Sequence, residues 1–151
     1  MTLPTGAISM SQVAAELGIS QTGLNLNHGW VRALAGQNSG AVSMSNLQGQ
    51  TAQPNWNANP GSGPSFGFNF NVPFFRGTTA TAGQSGINPL PVSLTFSAAP
   101  NWSGNILIRN NSTGASQVLN QQNSTTWGSS TGPINLFRAN TTDNFSLFPS
   151  T

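Results

Sequence analysis

Seven side chains hold all the acid–base chemistry open to this sequence near neutral pH: Arg32, Arg76, Arg109, Arg138, Glu16, Asp143 and His28. With no Cys, a thiolate nucleophile, a thiolate metal site and a disulfide framework are all excluded. Paired-carboxylate hydrolysis needs two acids flanking one bond, and Glu16 and Asp143 fall in two differently composed parts of the chain. His28, Asp143 and one of the many Ser residues supply the types of a catalytic triad. No nucleophile-elbow pattern accompanies them. A metal would need three or four ligands from a supply of one His and two acids, and no glycine-rich phosphate loop occurs. The sequence therefore reads as non-enzymatic, with no cofactor and no metal.

Charge is scarce. Asp, Glu, Lys and Arg make up 4% of the residues, against roughly a quarter in ordinary proteins. The isoelectric point of about 11.5 has the value expected of a nucleic-acid binder. It arises because a few Arg meet fewer acids, and a net charge of +2 cannot neutralise many phosphates. No specific nucleic-acid partner is expected. Nine Phe and four Trp argue against disorder, which goes with high net charge and few aromatics. A weakly charged surface is best tolerated inside an assembly, so a homo-oligomer or a symmetric array is expected. The longest aliphatic run, Ile106-Leu107-Ile108, is far too short to span a bilayer. The first residues lack the basic and apolar stretches of a signal peptide. Six Asn-x-Ser/Thr triplets, starting at Asn101, Asn110, Asn111, Asn123, Asn140 and Asn144, are what chance gives in so Asn- and Ser-rich a chain.

Three segments would position these residues. Residues 1–51 read as a small helical docking module. Ser9 and Gln12 form a capping box, Val13, Ala14 and Leu17 an apolar stripe, and Gly18 a stop. A second helix fits Asn27 to Ala35, with Asn27 as N-cap, Trp30, Val31 and Leu34 on one face, and Gly36 as terminator. Residues 6–13 (GAISMSQV) recur at 40–47 (GAVSMSNL), a repeat read as two similar turns flanking the central helix. Residues 52–65, AQPNWNANPGSGPS, read as an extended arm, since their Pro and Gly exclude a helix or a central strand.

From residue 66 the apolar period becomes two, and residues 66–151 read as an antiparallel β-sandwich, Ig-like or alternatively a jelly roll. Strands are expected at Phe66–Val72 and Leu90–Ser97. Hairpins are expected at 105–119 and at 134–148, the latter pairing Ile134–Arg138 with Asn144–Phe148, and a weaker strand lies around Ser124–Trp127. The fold class is thus mainly β with a small N-terminal helical segment.

The N-terminal residues carry a resemblance. Leu3 to Val13 (LPTGAISMSQV), Glu16-Leu17-Gly18, Val31 to Gly36 (VRALAG) and Ser39 to Gly49 (SGAVSMSNLQG) together resemble a module recurrent in virion proteins of tailed phages. Its pattern is a G-x-I-S-hydrophobic-S opening, an E-hydrophobic-G helix end, a central V-R-x-L-A-G and a closing copy of the opening. Gln48-Gly49-Gln50 departs from it, where the family often has an aromatic residue and a Lys. The resemblance covers about the first third of the chain and implies a structural role in a tail, baseplate or adaptor. It also implies other virion proteins as partners and assembly into particles in the bacterial host cytoplasm. Capsid decoration is the alternative, and a receptor- or glycan-binding adhesin contacting a host-surface glycan is a third reading. Trp30, Arg32, Trp56, Phe74 and Phe75 are the expected protein-interface residues, as large aromatics and Arg anchor interfaces. For a glycan, Trp56 and Trp127 are the stacking candidates.

Overall fold

The computed structural model describes residues 2–37, 39–62, 65–71, 74–77, 79–85 and 91–150. Val72 and Leu90, the outer ends of two expected strands, lie outside the described residues.

Three short helices open the chain. Helix α1 (Met10–Leu17) starts at Ser9, whose backbone N–H donates to Gln12 Oε1 at 2.8 Å. It stops at Gly18, whose φ of +69° suits a residue without a Cβ. Helix α2 (Gly29–Ala35) is capped by His28 rather than Asn27: the imidazole Nδ1 accepts from the N–H of Trp30 at 3.2 Å. Asn27 Oδ1 is instead taken by the Arg32 guanidinium at 3.0 Å. The single turn α3 (Met44–Leu47) copies the start of α1, with Ser43 N–H donating to Asn46 Oδ1 at 2.8 Å. Ser9 and Ser43 share nearly one backbone conformation, φ −114° ψ 160° and φ −118° ψ 162°. The repeat is therefore one turn used twice. Leu3 N–H donates to Gln50 O at 3.0 Å and Gln48 Nε2 to Gly6 O at 2.8 Å, which sets the two copies side by side.

Eight strands follow: β1 (Asn55–Ala58), β2 (Ser65–Asn71), β3 (Thr79–Ser85), β4 (Val92–Phe96), β5 (Asn105–Asn110), β6 (Ser116–Gln121), β7 (Thr126–Ser129) and β8 (Asp143–Ser150). They form one antiparallel sheet in the order β1-β8-β5-β6-β7-β4-β3-β2. Its seam is the contact between β6 and β7, only two residue pairs long, Asn120↔Gly128 and Gln121↔Trp127. The sheet curls, so that both halves bury their alternate residues in a common core, as in a β-sandwich. Ile106, Ile108, Leu119, Phe145 and Leu147 come from one half, and Ala80, Ala82, Val92, Leu94, Phe96 and Trp127 from the other.

The expected strand at Ile134–Arg138 does not form. Both edges of β8 are already paired, with β1 on one side and β5 on the other. Residues 134–137 turn instead, with Leu136 N–H donating to Pro133 O at 3.1 Å. Leu136 and Phe137 still enter the core, while Ile134 is 57% exposed. The expected arm carries β1, an edge strand; its Pro54 and Pro60 fall outside the paired residues.

The helical segment shares the sheet's core. Leu3, Val13, Leu17, Val31, Leu34 and Leu47 belong to the same apolar cluster as Phe74, Phe75 and the sheet residues. A chain of ring contacts runs from the sheet to α2: Trp127–Phe96 (5.6 Å), Phe96–Phe74 (6.3 Å), Phe74–Phe75 (4.6 Å), Phe75–Trp102 (5.1 Å) and Trp102–Trp30 (5.2 Å). Phe74, Phe75, Phe96 and Trp127 are fully buried, and burying a side chain such as Phe contributes roughly 1.5–3 kcal/mol.

Candidate functional site

Where α2 meets the sheet, its last carbonyls need donor partners, because a helix end leaves them without intrahelical N–H groups. The sheet side supplies two. Arg76 Nη2 donates to Ala35 O at 2.6 Å, and Asn101 Nδ2 donates to Ala33 O at 2.8 Å. Gly36 makes room for the first: a Cβ there would lie 2.6 Å from the Arg76 guanidinium carbon. These contacts hold α2 against the loop that carries Asn101 and Trp102.

Between them opens a groove of about 790 Å³, lined by Trp30, Arg32, Asn101, Trp102, Gln121 and Ser124 among others. Trp30 and Trp102 meet edge to face, with interplanar angle 86°. Trp102 is fixed on three sides: its Nε1 donates to Asn105 O at 2.9 Å, its ring covers Gly104 closely, and Phe75 lies beneath it. A Cβ on Gly104 would come within 2.3 Å of the indole, so that glycine is what lets the ring lie flat there. Trp30 is half-buried, and its indole N–H has no hydrogen-bond partner among the described residues. Arg32 sends Nη1 to Asn27 Oδ1 and Nη2 to Gly40 O at 2.8 Å, tying down the loops at either end of α2. Gln121 and Ser124, on the β6–β7 turn, are exposed.

Neither carboxylate lines this groove. Glu16 is wholly buried, and its Oε1 accepts from the N–H groups of Ala52 (2.7 Å) and Gln53 (3.1 Å), so the helix end grips the beginning of the arm. Its Oε2 is buried without a hydrogen-bond partner among the described residues. Burial raises the Glu16 pKa, and the two backbone donors only partly offset it. Asp143 is shifted the other way. The Arg138 guanidinium, bonded through Nη2 to Oδ1 and through Nε to Oδ2 at 3.0 Å, lowers its pKa, with Asn110 Nδ2 adding to the effect against burial. Glu16, His28 and Asp143 are thus each engaged in holding the backbone or another side chain. No cluster of three or more His, Cys, Asp or Glu able to hold a metal occurs among the described residues.

Of the five expected interface residues, the structure brings Trp30 and Arg32 together at the groove. Phe74 and Phe75 are corrected: both are 0% exposed and serve as the anchors between helices and sheet, out of reach of a partner. Phe75 N–H donates to Thr51 O at 3.3 Å, and its left-handed backbone (φ +40°) breaks the extended alternation that would send two adjacent Phe residues to opposite sides. Trp56 sits on β1, stacked on Phe145 (5.9 Å, 22°), and takes no part in the groove. Trp127 is 0% exposed, so it cannot stack on a glycan. Asn101, Gln121 and Ser124 were not signalled by type or spacing; only the loop composition around them, polar and uncharged, marked them as surface.

No family model matches the chain, and no curated protein or solved structure matches it either.

Proposed function

We propose that this chain is a structural component of a tailed-phage virion, a tail, baseplate or adaptor protein that works by protein–protein contact. Capsid decoration is the alternative address. The observation that carries the reading is the N-terminal pattern, whose motif residues meet structural needs of the helices and of their junction with the arm. Ser9, Gln12, Ser43 and Asn46 make the paired caps, Gly18 and Gly36 end the helices, Glu16 grips the arm and Arg32 braces α2.

The surface supports the same reading. On the outer side of β1, β8 and the β5–β6 turn, Asn144 Nδ2 bridges Asn55 Oδ1 (2.6 Å) and Asn57 Oδ1 (2.9 Å), while Asn111 Nδ2 reaches Asn144 Oδ1 and Ser146 Oγ, both at 2.7 Å. Arg109, opposite Ser146, is the charged residue beside them, and the amides around it can be covered by a neighbouring subunit without stripping water from further ions. Mass spectrometry of purified particles from the producing host tests the proposal. The chain is expected at a fixed stoichiometry to the major virion proteins, and its absence from particles would overturn both addresses.

A receptor- or glycan-binding role is the reading from a different class. With Trp127 buried, it depends on the groove between Trp30 and Trp102.

A further inference from the structure

We infer that the groove between α2 and the β6–β7 turn is a binding site for an acidic saccharide, which deepens the glycan-binding reading and stands apart from the virion assignment. Its chemistry is mixed in the way a sugar demands. A pyranose has apolar C–H faces, a belt of hydroxyls and, in uronic acids, one carboxylate. Trp30 and Trp102 offer aromatic surface with a polar handle, and the Trp30 indole N–H is an unspent donor. Gln121 and Ser124 bring an amide and a hydroxyl that make no side-chain hydrogen bond to the described residues, and Asn101 keeps its Oδ1 as an acceptor while its Nδ2 is held by α2.

Charge selects the acid. Among the described residues Arg32 is the one ionised side chain on the groove, and both carboxylates of the chain are committed elsewhere, Glu16 under the arm and Asp143 to Arg138. Arg32 is braced by Asn27 and Gly40, which leaves further N–H groups of the same planar fork for a ligand carboxylate. A cationic ligand is disfavoured for the same reason. A nucleic-acid strand would need several cations along its track, and this groove has one. The volume of about 790 Å³ lies in the usual range for small-molecule sites and admits more than one sugar ring.

The test uses two probes that differ by one carboxylate, cellobiuronic acid and cellobiose, titrated into the full-length protein. Tryptophan fluorescence and indole and amide NMR shifts provide the readouts. Saturable binding of the acid is expected at a Kd on the order of 1 mM, with cellobiose about tenfold weaker for want of the charge-assisted contact. Arg32→Gln should bring the two probes to equal affinity, and a preference for the acid that survives it would overturn the proposal. Gln121→Ala, which removes an exposed side chain without a hydrogen bond to the described residues, should weaken both about threefold. Trp30→Ala should remove binding, and Trp30→Phe guards against misfolding by retaining an aromatic face. Failure of cellobiuronic acid to saturate would overturn the proposal. So would shifts confined to residues away from Trp30, Trp102, Gln121 and Ser124, or an oligothymidylate that binds more tightly than the acid sugar. A chain found in virions but blind to both sugars would sink this inference alone.

Discussion

Glu16→Gln and Glu16→Ala should part company, and the difference tests what this buried carboxylate does. Its Oε1 accepts two backbone N–H groups at 2.7 and 3.1 Å, and Gln can present an oxygen to the same pair. Ala cannot, and two inward-facing donors at Ala52 and Gln53 would lose their acceptor. At about 1–3 kcal/mol for each unsatisfied group, Glu16→Ala should destabilise by about 2–6 kcal/mol. Glu16→Gln exchanges a desolvated charge for a neutral amide and should change stability at neutral pH by less than about 1 kcal/mol.

The pH dependence sharpens this. Burial holds the folded-state pKa of Glu16 above its ordinary value of 4.5, so the folded protein binds this proton more tightly than the unfolded chain does. Its contribution is then fully present below the ordinary value and is lost as pH rises through the raised one. Urea denaturation followed by tryptophan fluorescence, from about pH 4 to about pH 8, reads the slope directly. Wild type should lose stability over the part of that range where Glu16 ionises, and Glu16→Gln should not. If Glu16→Gln kept the wild-type slope, or fell as far as Glu16→Ala, the acceptor-not-charge account would be wrong.

Two further perturbations follow from the same contacts. Asp143 has the opposite sign: the Arg138 bond lowers its folded pKa below the ordinary 3.8, so its contribution is present above that value and is lost as pH falls through the lowered one. Asp143→Ala should flatten the acid limb of the stability profile. It should also cost about 1–3 kcal/mol at neutral pH, because one buried N–H of Asn110 Nδ2 loses its acceptor; an unchanged acid limb would refute it. Gly36→Ala should destabilise by roughly 1–2 kcal/mol from the left-handed backbone alone, plus a penalty from the Arg76 guanidinium. A thermal-melt double-mutant cycle with Arg76→Ala should show that second part vanish, whereas Gly114→Ala, at φ +80° in open space, should be additive with Arg76→Ala.

Local chemistry was legible in the sequence at the caps of α1 and α3 and at the helix stops, though not at the start of α2, where His28 caps in place of Asn27. Ser9 with Gln12, Ser43 with Asn46, and Gly18 and Gly36 as helix stops could be read directly, because a cap is completed within four residues. The alternating Val92, Leu94 and Phe96 likewise announce a strand with one buried face. Strand β3 escaped because its inward residues are Ala80 and Ala82, which give no hydrophobic alternation. Small residues are what the site needs, since they stand opposite the larger Phe96 and Leu94. The missing strand at Ile134–Arg138 shows the converse: its pattern was apolar enough, but both edges of β8 were taken, one of them by four residues of a Pro-rich arm. Competition for an edge is a property of the whole sheet, and no window of sequence contains it.

The groove belongs to that second kind of information. Its walls come from α2, from the loop before β5 and from the β6–β7 turn, and the bond that closes two of them joins Asn101 to Ala33 across 68 residues. Trp30 and Arg32 could be singled out by type, and so could Trp102, but not that they would face one another. The pairing is enforced by Phe74 and Phe75, the two residues whose type had marked them for a partner. They do meet a partner, within their own chain: the aromatic contacts that an interface would use between subunits here join the helical segment to the sheet. Anchor chemistry thus identifies surfaces that must be covered, and only the fold decides whether the cover is another molecule or the chain itself.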